Sequence, residues 1–308
     1  MPEPLLKRLY IYQKERFPLL VHGLLIAAFS FSAIGYSRLC RDAAGFIPWT
    51  SYLACVFTNL ALFFLLRVSD EYKDQHDDAA YRQYLPVVRG LISLKELLIT
   101  SLVFFGLALA INIIWFPRLL PLLLLALGYL LLMRYEFGIG HWLRKRMHWY
   151  VVTHMIIIPL ADIYASSYDW KLAQVAPPKG LLFFFGVSFL NGIVLEIGRK
   201  IRSLEREETG VDSYTKLWGM RGAPLIWLTV LTLNFILAVV AARYAHAASA
   251  VFIAIALVYG LAVIPAVVFI YRPAFKWSKA IEVVSLVWAL TMYLALGGIP
   301  QLWSVFFK

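Results

Sequence analysis

The fold is decided by the stretch Leu60-Ala-Leu-Phe-Phe-Leu-Leu66, which runs directly into Arg67-Val-Ser-Asp70-Glu71-Tyr-Lys-Asp74-Gln-His-Asp77-Asp78. The apolar run indicates a membrane helix, and five carboxylates follow it within nine residues. Asp70, Asp74 and either Asp77 or Asp78 recur at helical spacing, so we expect them to share one helical face, with Glu71 on another. Because like charges held so close repel each other, they predict a bound cation, and Mg²⁺ takes one or two carboxylates together with substrate phosphates.

The composition is that of a membrane protein. Hydrophobic residues make up 61% of the 308 residues and charged residues only 15%, whereas soluble domains carry about a quarter. Apolar runs of roughly the length needed to cross a bilayer recur along the whole chain, and no soluble segment separates them. We predict an all-α fold in one domain, 1–308, with nine transmembrane spans: 19–37, 47–66, 97–116, 118–133, 149–165, 180–198, 223–242, 248–270 and 280–297.

The positive charges predict the orientation of the spans. If successive spans alternate in direction, 22 of the 29 Lys and Arg residues fall on the side that holds the N-terminus. Positive charge favours the cytoplasmic face, so we expect the N-terminus and the loops 67–96 and 199–221 in the cytoplasm. The expected location is the bacterial inner membrane, with the active site facing the cytoplasm and the basic loops against anionic lipid head groups. The basic residues scatter along one membrane face without forming a stripe, so no nucleic-acid partner is expected.

Basic side chains near the acidic segment are candidates for binding phosphate. Arg82 and Arg89 lie in the loop that follows it, and arginine offers a rigid fork of donors suited to phosphate oxygens. Three consecutive cations, Arg144-Lys145-Arg146, follow the fourth span. For each of these side chains, anchoring at the membrane surface is the alternative interpretation.

A second polar segment follows the sixth span and reads Asn191-Gly-Ile-Val-Leu-Glu196-Ile-Gly-Arg199-Lys200. Glu196 lies at the end of the span, where a carboxylate is costly unless it is paired or bound to a metal. Arg199 and Lys200 lie three and four residues on, so an ion pair and a metal ligand are both open interpretations of Glu196. The two cations are also candidates for contacting phosphate oxygens.

Polar side chains within the spans indicate a second binding pocket. At 1.5 Å per residue, Asp162 lies roughly 20 Å into the fifth span. The alternative position is near the opposite interface, where a charged side chain costs little free energy. An acidic residue at membrane depth is a functional candidate by default. We predict that Asp162, Asn59 and Asn191 line an acceptor pocket. Asp162 with His154 would equally suit the proton path of a lipid or proton-coupled transporter.

These residues are similar to those of the UbiA-type intramembrane prenyltransferase superfamily. Its first motif, Asn-Asp-x-x-Asp-x-x-x-Asp, resembles Ser69-Asp70-Glu-Tyr-Lys-Asp74-Gln-His-Asp77-Asp78, with Ser69 in place of Asn and the first spacing one residue longer. Its Arg-Pro-Leu-x-x-Gly-x-Ile-Ser is matched by Leu85-Pro86-Val-Val-Arg89-Gly90-Leu-Ile92-Ser93, without the leading Arg. The basic stretch after the fourth helix is matched by Leu143-Arg144-Lys145-Arg146.

The second motif departs from the family pattern. Where the family usually has Asp-x-x-x-Asp, this chain has Glu196-Ile-Gly-Arg199-Lys200, with Lys200 in the place of the second Asp. Either Glu196 and Glu205 hold a second metal, or a lysine replaces that metal. The departure indicates a divergent subgroup, and some divergent members of the superfamily cyclise terpenes.

The resemblance implies nine helices around a central pocket and a Mg²⁺-dependent transfer of a prenyl group. The donor is then a prenyl diphosphate, and the acceptor is aromatic or another small lipophilic molecule. The metal ligands would be Asp70, Asp74, Asp77, Asp78 and Glu196, and the catalytic residues Asp70, Asp74 and Lys200. The diphosphate would be bound by Arg82, Arg89, Lys145, Arg146, Arg199 and Lys200. A membrane terpene cyclase of the same family is the first alternative, and a lipid or proton-coupled transporter is the second.

Overall fold

The computed structural model describes residues 3–307, and within that range the chain forms helices and connecting loops with no strand. The longer helices begin and end as follows: α1 (Leu5–Arg16), α2 (Leu19–Cys40), α3 (Trp49–Lys73), α4 (Gln75–Tyr81), α5 (Leu94–Trp115), α6 (Leu120–Arg134), α7 (Gly140–Arg144), α8 (Met147–Met155), α9 (Ile157–Trp170), α10 (Leu181–Arg199), α11 (Tyr214–Tyr244), α12 (Ser249–Tyr271), α13 (Phe275–Tyr293) and α14 (Ile299–Phe306).

Nine helical segments within residues 3–307 are long and apolar enough to cross a membrane, so the predicted number of spans and the all-α class are confirmed. The fifth consists of α8 and α9 in succession, and the ninth runs from α13 through a π-helical turn, Leu294–Gly298, into α14. One difference at a helix end bears on the site: α3 continues to Lys73 although the predicted span ends at 66. Charged residues do not stop a helix, and the nearest Pro or Gly after the span is Pro86.

The bundle is organised around α2, which packs against α3, α9, α10, α13 and the π-helical turn. Trp227 and Trp288 are fully buried between helices, whereas Trp115 and Leu257 are exposed on the outer surface. Exposed apolar side chains of this kind suit a protein surrounded by lipid, and the helices satisfy their own backbone hydrogen bonds there. The chain is therefore a multi-pass integral membrane protein.

Buried polar contacts tie the helices together away from the acidic segment. Asn112 on α5 donates to Thr58 on α3 at 3.0 Å and accepts from Tyr164 on α9 at 2.9 Å. At the end of the bundle opposite the acidic segment, the buried Asp169 pairs with Arg38 at 3.1 Å and Arg41 at 2.6 Å. Buried charges need partners of this kind, and these contacts connect α2 to α9.

The short helix α1 holds the acidic segment in place from outside the bundle. Arg16 of α1 pairs with Glu71 at 2.7 Å, and the hydroxyl of Tyr12 donates to the same carboxylate at 3.2 Å. Arg67, one turn earlier on α3, pairs with Glu71 at 2.6 Å. Glu71 therefore faces α1, and its contacts attach α1 to the end of α3.

Candidate active site

The four aspartates of the first motif are divided between two helices. Asp70 lies in the last turn of α3, Asp74 separates α3 from α4, and Asp77 and Asp78 lie in the first turn of α4. Three of them, Asp74, Asp77 and Asp78, line one polar cavity, whereas Asp70 lines a neighbouring apolar cavity. The break in the helix at Asp74 separates the first aspartate from the other three.

The polar cavity has a volume of about 240 Å³ and lies between the acidic segment and the loops that follow α6 and α10. Residues 73–82 supply one wall, residues 136–150 the second, and Lys200 with residues 210–212 the third. Carboxylates and cations both line the cavity. The carboxylates are Asp74, Asp77, Asp78, Glu136 and Asp212, and the cations are Lys73, Arg82, Arg144 and Lys200. Such a mixture suits a polyanionic ligand that arrives with a cation.

Only part of the negative charge in the polar cavity is neutralised by ion pairs within residues 3–307. Asp78 is buried and pairs with Arg82 at 3.1 Å and with Arg16 at 4.0 Å. Burial raises the pKa of Asp78, Arg82 opposes this effect, and the nearby Asp74 raises the pKa further. Asp74 and Asp77 have no ion-pair partner in the described range, so their charge is available to a ligand.

Among the cavity residues that were not predicted from the sequence, Lys73 and Tyr150 contact each other. The ammonium of Lys73 donates to the hydroxyl of Tyr150 and lies 4.9 Å from the centroid of its ring. The ring of Tyr150 stacks on that of His154, with centroids 3.9 Å apart. Lys73 lies within the acidic motif, and that position in the sequence could have identified it as a site residue. Nothing in the sequence distinguishes Tyr150 from the other aromatic residues of its span.

The backbone between α6 and α7 adopts an uncommon conformation at the cavity wall. Glu136 and Phe137 both have positive φ angles, 47° and 56°, which non-glycine residues rarely adopt. Glu136 is buried and its carboxylate lies 3.4 Å from Arg144. Strained backbone of this kind is concentrated at functional sites, and here it places a carboxylate and an arginine in the polar cavity.

Gly210 allows the loop after α10 to approach α4 closely. Its φ is +72°, and a Cβ atom there would lie 2.3–2.4 Å from ring atoms of Tyr81, which also lines the cavity. We expect Gly210→Ala to lower the free energy of unfolding by about 1–3 kcal/mol and to increase proteolysis in the loop 200–213. The matched control is Gly219→Ala, because Gly219 has φ +77° with no atom within 4 Å of the added Cβ. Equal effects of the two substitutions would contradict the role of the Tyr81 contact.

The second motif forms a compact ion-pair cluster. The Glu196 carboxylate is buried, and it contacts Arg199 at 2.5 Å and Lys200 at 2.8 Å. Lys200 lines the polar cavity, whereas Glu196 does not. Glu205 is exposed on the 3₁₀ turn Leu204–Arg206 and does not line the cavity either. Of the two interpretations of Glu196, the ion pair is the contact that the structure contains.

Three further basic residues proposed for phosphate binding lie outside the polar cavity. Arg89 is exposed and pairs with Glu15 of α1 at 2.7 Å, which lowers the pKa of Glu15. Lys145 is exposed at the end of α7, and the guanidinium of Arg146 lies over the ring of Trp142 at 4.7 Å. Of the predicted run Arg144-Lys145-Arg146, Arg144 therefore lines the polar cavity, whereas Lys145 and Arg146 do not.

An apolar cavity of about 260 Å³ lies inside the bundle beside the acidic segment. Its walls come from α2, α3, α9, α10 and α13 and include the rings of Phe29, Phe63 and Tyr293. Asp70 and Arg67 lie at this cavity, and Lys73, one turn beyond Asp70 on α3, lines the polar one. The two cavities therefore adjoin at the last turn of α3.

The three residues predicted for an acceptor pocket separate into two groups. Asn191 lines the apolar cavity, and its side-chain amide lies 2.7 Å from that of Asn234, within hydrogen-bond distance. Asn59 and Asp162 are completely buried and are not among the residues that line this cavity. Asn59 donates to Ser30 at 3.1 Å, and neither carboxylate oxygen of Asp162 has a hydrogen-bond partner within residues 3–307.

The arrangement of carboxylates can be compared with the needs of a magnesium ion. Within the described range, no three His, Cys, Asp or Glu side chains converge closely enough to hold a metal ion by themselves. Magnesium bound to a phosphate substrate does not require such a cage, because it keeps several waters and takes one or two carboxylates from the protein. Asp74 and Asp77, which share the cavity without ion-pair partners, fit that need, whereas the neutralised Glu196 does not.

The fold and the site define a class of protein: a polytopic helical membrane protein with a charged cavity at one end of the bundle and an apolar cavity beside it. The model of the UbiA prenyltransferase family matches residues 28–281, and the chain belongs to this family. The resemblance found in the sequence motifs is thereby confirmed. A comparison with curated proteins finds no match to the chain.

Two solved structures share the fold over nearly the whole chain. The apo structure of a UbiA homolog from Aeropyrum pernix K1 is 14% identical, with a TM-score of 0.62, and the match covers 88% of this chain and 96% of that one. A structure of digeranylgeranylglyceryl phosphate synthase is 16% identical, with a TM-score of 0.61, and covers 94% and 99% respectively. At these identities the likeness concerns the fold alone.

Proposed function

We propose that this protein is a Mg²⁺-dependent intramembrane prenyltransferase that ionises a prenyl diphosphate and transfers the prenyl group to a lipophilic acceptor. The observation that carries the proposal is the junction of the two cavities at the last turn of α3. A molecule with a charged head and an apolar tail matches that junction. Membership of the UbiA family supports the same reaction class.

The charged head is a diphosphate in the polar cavity. Arg82, Arg144, Lys73 and Lys200 line it and would neutralise the phosphate oxygens, with the two arginines offering paired donors. A magnesium ion held by Asp74 and Asp77, with Asp78 as a third candidate, would polarise the phosphate oxygens and stabilise the charge of the departing diphosphate. The carboxylates and cations are arranged before the substrate arrives, which is how a site lowers the cost of charge development.

The prenyl chain lies in the apolar cavity, where the reaction breaks the bond between its first carbon and the diphosphate oxygen. The bonding electron pair leaves with diphosphate, and the remaining allylic cation is captured by a nucleophilic atom of the acceptor, which then loses a proton. Asp70 lines this cavity next to the polar one, and its negative charge would stabilise the cation. Phe29, Phe63 and Tyr293 present aromatic rings to the same space and exclude water.

The acceptor is proposed to share the apolar cavity with the prenyl chain. Asn191 is the polar residue in its wall that is best placed to orient an acceptor group. Asp162 and Asn59 are buried and do not line the cavity, so we propose that they help to hold its walls in place and do not contact the acceptor. The N-terminus and the polar cavity are proposed to face the cytoplasm of a bacterial cell, because the basic residues concentrate at that end of the bundle.

The reaction class can be tested with the purified protein in lipid nanodiscs. The assay supplies Mg²⁺ and prenyl diphosphates of several chain lengths, with and without aromatic and other lipophilic acceptors, and measures released diphosphate and products by mass spectrometry. A prenylated acceptor is the expected result. Cyclic hydrocarbons formed without an acceptor would instead identify a terpene cyclase. Absence of diphosphate release under all conditions would overturn the proposal and favour a transport function.

Arg82 and Arg89 provide a matched pair of substitutions. Arg82 lines the polar cavity and Arg89 pairs with Glu15 outside it, although both lie in the same loop. We expect Arg82→Gln to raise KM for the prenyl diphosphate by about tenfold or more, because a charged hydrogen bond contributes about 1.5–3 kcal/mol. Arg89→Gln should change KM less than about twofold. A larger effect at Arg89 would show that the diphosphate binds elsewhere.

A further inference from the structure

The polar cavity is asymmetric in charge. Asp74, Asp77 and Asp78 approach it from the α3–α4 side, and from the end of α10 the only side chain within the described range that lines it is Lys200. A second metal ion on the α10 side of the cavity would take its ligands from the acidic side chains of the end of α10 and the α10–α11 loop.

Glu196 has no charge left for a metal ion. Its Oε2 atom contacts Arg199 at 2.5 Å, its Oε1 atom contacts Lys200 at 2.8 Å, and its side chain is only 9% exposed. A metal ion in contact with this carboxylate would have to displace two cations from it. The Glu196 carboxylate is buried, and both cations remain three and four residues from it in the chain, so their repulsion of the ion opposes that exchange.

The other acidic residues of the loop do not replace Glu196. Glu205 is exposed away from the cavity, Glu207 accepts from Ser213 and Thr215 at 2.5 and 2.8 Å, and Glu208 contacts Arg202 at 3.4 Å. Asp212 lines the cavity as a single exposed carboxylate. Among the described residues, Asp212 is therefore the only carboxylate that the end of α10 and the α10–α11 loop contribute to the cavity lining. This side of the cavity offers the cation Lys200 and one carboxylate in place of a set of acidic metal ligands.

Lys200 is held in a defined position. Glu196 anchors its ammonium at 2.8 Å, and the ammonium lies 5.8 Å from the centroid of the Tyr214 ring. The Lys200 side chain remains 28% exposed and lines the cavity opposite the aspartates. A lysine in this setting acts as a fixed positive charge with hydrogens to donate to a phosphate.

We infer that this protein binds its diphosphate with one divalent cation, on the side of Asp74 and Asp77, and that the ammonium of Lys200 takes the place of a second cation on the opposite side. The inference rests on the proposed function, because it concerns the same diphosphate site. The positive charge that a second metal ion would contribute is supplied by Lys200 together with Arg82, Arg144 and Lys73 around the cavity.

The number of bound metal ions tests the inference without measuring catalysis. Mn²⁺ replaces Mg²⁺ as a probe, and electron paramagnetic resonance counts the ions bound per protein in nanodiscs with saturating inorganic diphosphate. We expect one diphosphate-dependent ion in the unmodified protein and two in Lys200→Asp, which restores a carboxylate four residues after Glu196. The matched control is Lys276→Asp, an exposed lysine of α13 beside the partly buried Trp277, which makes the same charge change and should leave the count at one.

A second variant keeps the test valid if Lys200→Asp does not fold. Lys200→Gln should leave one bound ion and weaken binding of inorganic diphosphate, measured by calorimetry with Mg²⁺ present, by about tenfold. Two ions in the unmodified protein, an unchanged count in folded Lys200→Asp, or unchanged diphosphate affinity in Lys200→Gln would each overturn the inference. A protein that binds no diphosphate with any divalent cation would overturn the proposed function itself, which distinguishes the two failures.

Discussion

Asp74→Asn is expected to lower kcat/KM for the prenyl diphosphate by about 100- to 1000-fold, or roughly 2.7–4 kcal/mol of transition-state stabilisation. Asp74 lines the polar cavity and has no ion-pair partner within the described residues, so its charge serves no structural contact there. The substitution keeps the shape of the side chain and removes only the charge. The measurement is initial diphosphate release at several substrate and Mg²⁺ concentrations.

The stability of the same variant separates a functional from a structural role. Asp74 contributes to the raised pKa of the buried Asp78, so its charge repels a neighbour in the ligand-free protein. We therefore expect Asp74→Asn to unfold at the same or a higher temperature than the unmodified protein, but to lose the additional stabilisation by Mg²⁺ and diphosphate together.

The control for Asp74→Asn is Asp42→Asn at the opposite end of the bundle. Asp42 is exposed with a φ of 50°, a conformation that asparagine tolerates, so activity and stability should both stay unchanged. Normal activity in Asp74→Asn, or an equal loss in both variants, would contradict the assignment of Asp74 to the active site.

Gly297→Ala is expected to be the most damaging of the glycine substitutions for the fold. Gly297 lies in the π-helical turn between α13 and α14, and a Cβ atom there would lie 2.0 Å from the carbonyl oxygen of Ser32 on α2. The next closest atoms are also backbone atoms of Ser32, at 2.8 and 3.0 Å. No side-chain rotation relieves this contact, so the helices would have to move apart.

Small residues allow membrane helices to approach closely, and this crossing depends on them. Overpacking in a core typically costs about 1–3 kcal/mol, and contact with backbone atoms places Gly297→Ala at or above the upper end of that range. The expected decrease in the unfolding temperature is roughly 6–12 °C at about 2–4 °C per kcal/mol. Size-exclusion chromatography after heating in detergent measures the folded fraction.

Gly106→Ala is the matched control for the helix crossing. Gly106 lies within α5 on the outer surface, and no atom lies within 4 Å of the added Cβ. Alanine is the better helix former by about 1 kcal/mol, so this variant should be as stable as the unmodified protein or more stable. If Gly297→Ala unfolded at the same temperature as Gly106→Ala, the close packing of α2 against the π-helical turn would be refuted.

The contacts of α1 show how far local sequence signals reach. Glu71 belongs to the acidic segment by position, but it does not line the polar cavity that Asp74, Asp77 and Asp78 share. Its partners Arg16 and Tyr12 lie more than fifty residues earlier, in a helix that is not a predicted span. Contacts between residues so distant in the chain have no signature in one sequence, because any basic residue of the N-terminal segment would satisfy the same local pattern.

The basic residues illustrate the same limit within a single loop. The run Arg144-Lys145-Arg146 was predicted to reach a phosphate, and among its members Arg144 lines the polar cavity. Arg146 lies over Trp142 instead, and Lys145 is exposed. Arg144 ends α7, whereas Lys145 and Arg146 form the link to α8. Because the backbone changes direction between these residues, the composition of the loop cannot specify which of its cations faces the cavity.

By itself, the sequence determined the all-α class, the nine spans, the family and the two segments that carry charge, because the length of an apolar run and the local spacing of charged residues are local properties. The tertiary structure alone decided that Asp70 lines the apolar cavity while three other aspartates line the polar one, that Tyr150 and Lys73 lie together, and that Glu196 is neutralised by its own neighbours. The physical reason is that a cavity is formed by side chains from helices far apart in the chain, and their directions follow from helix breaks and packing.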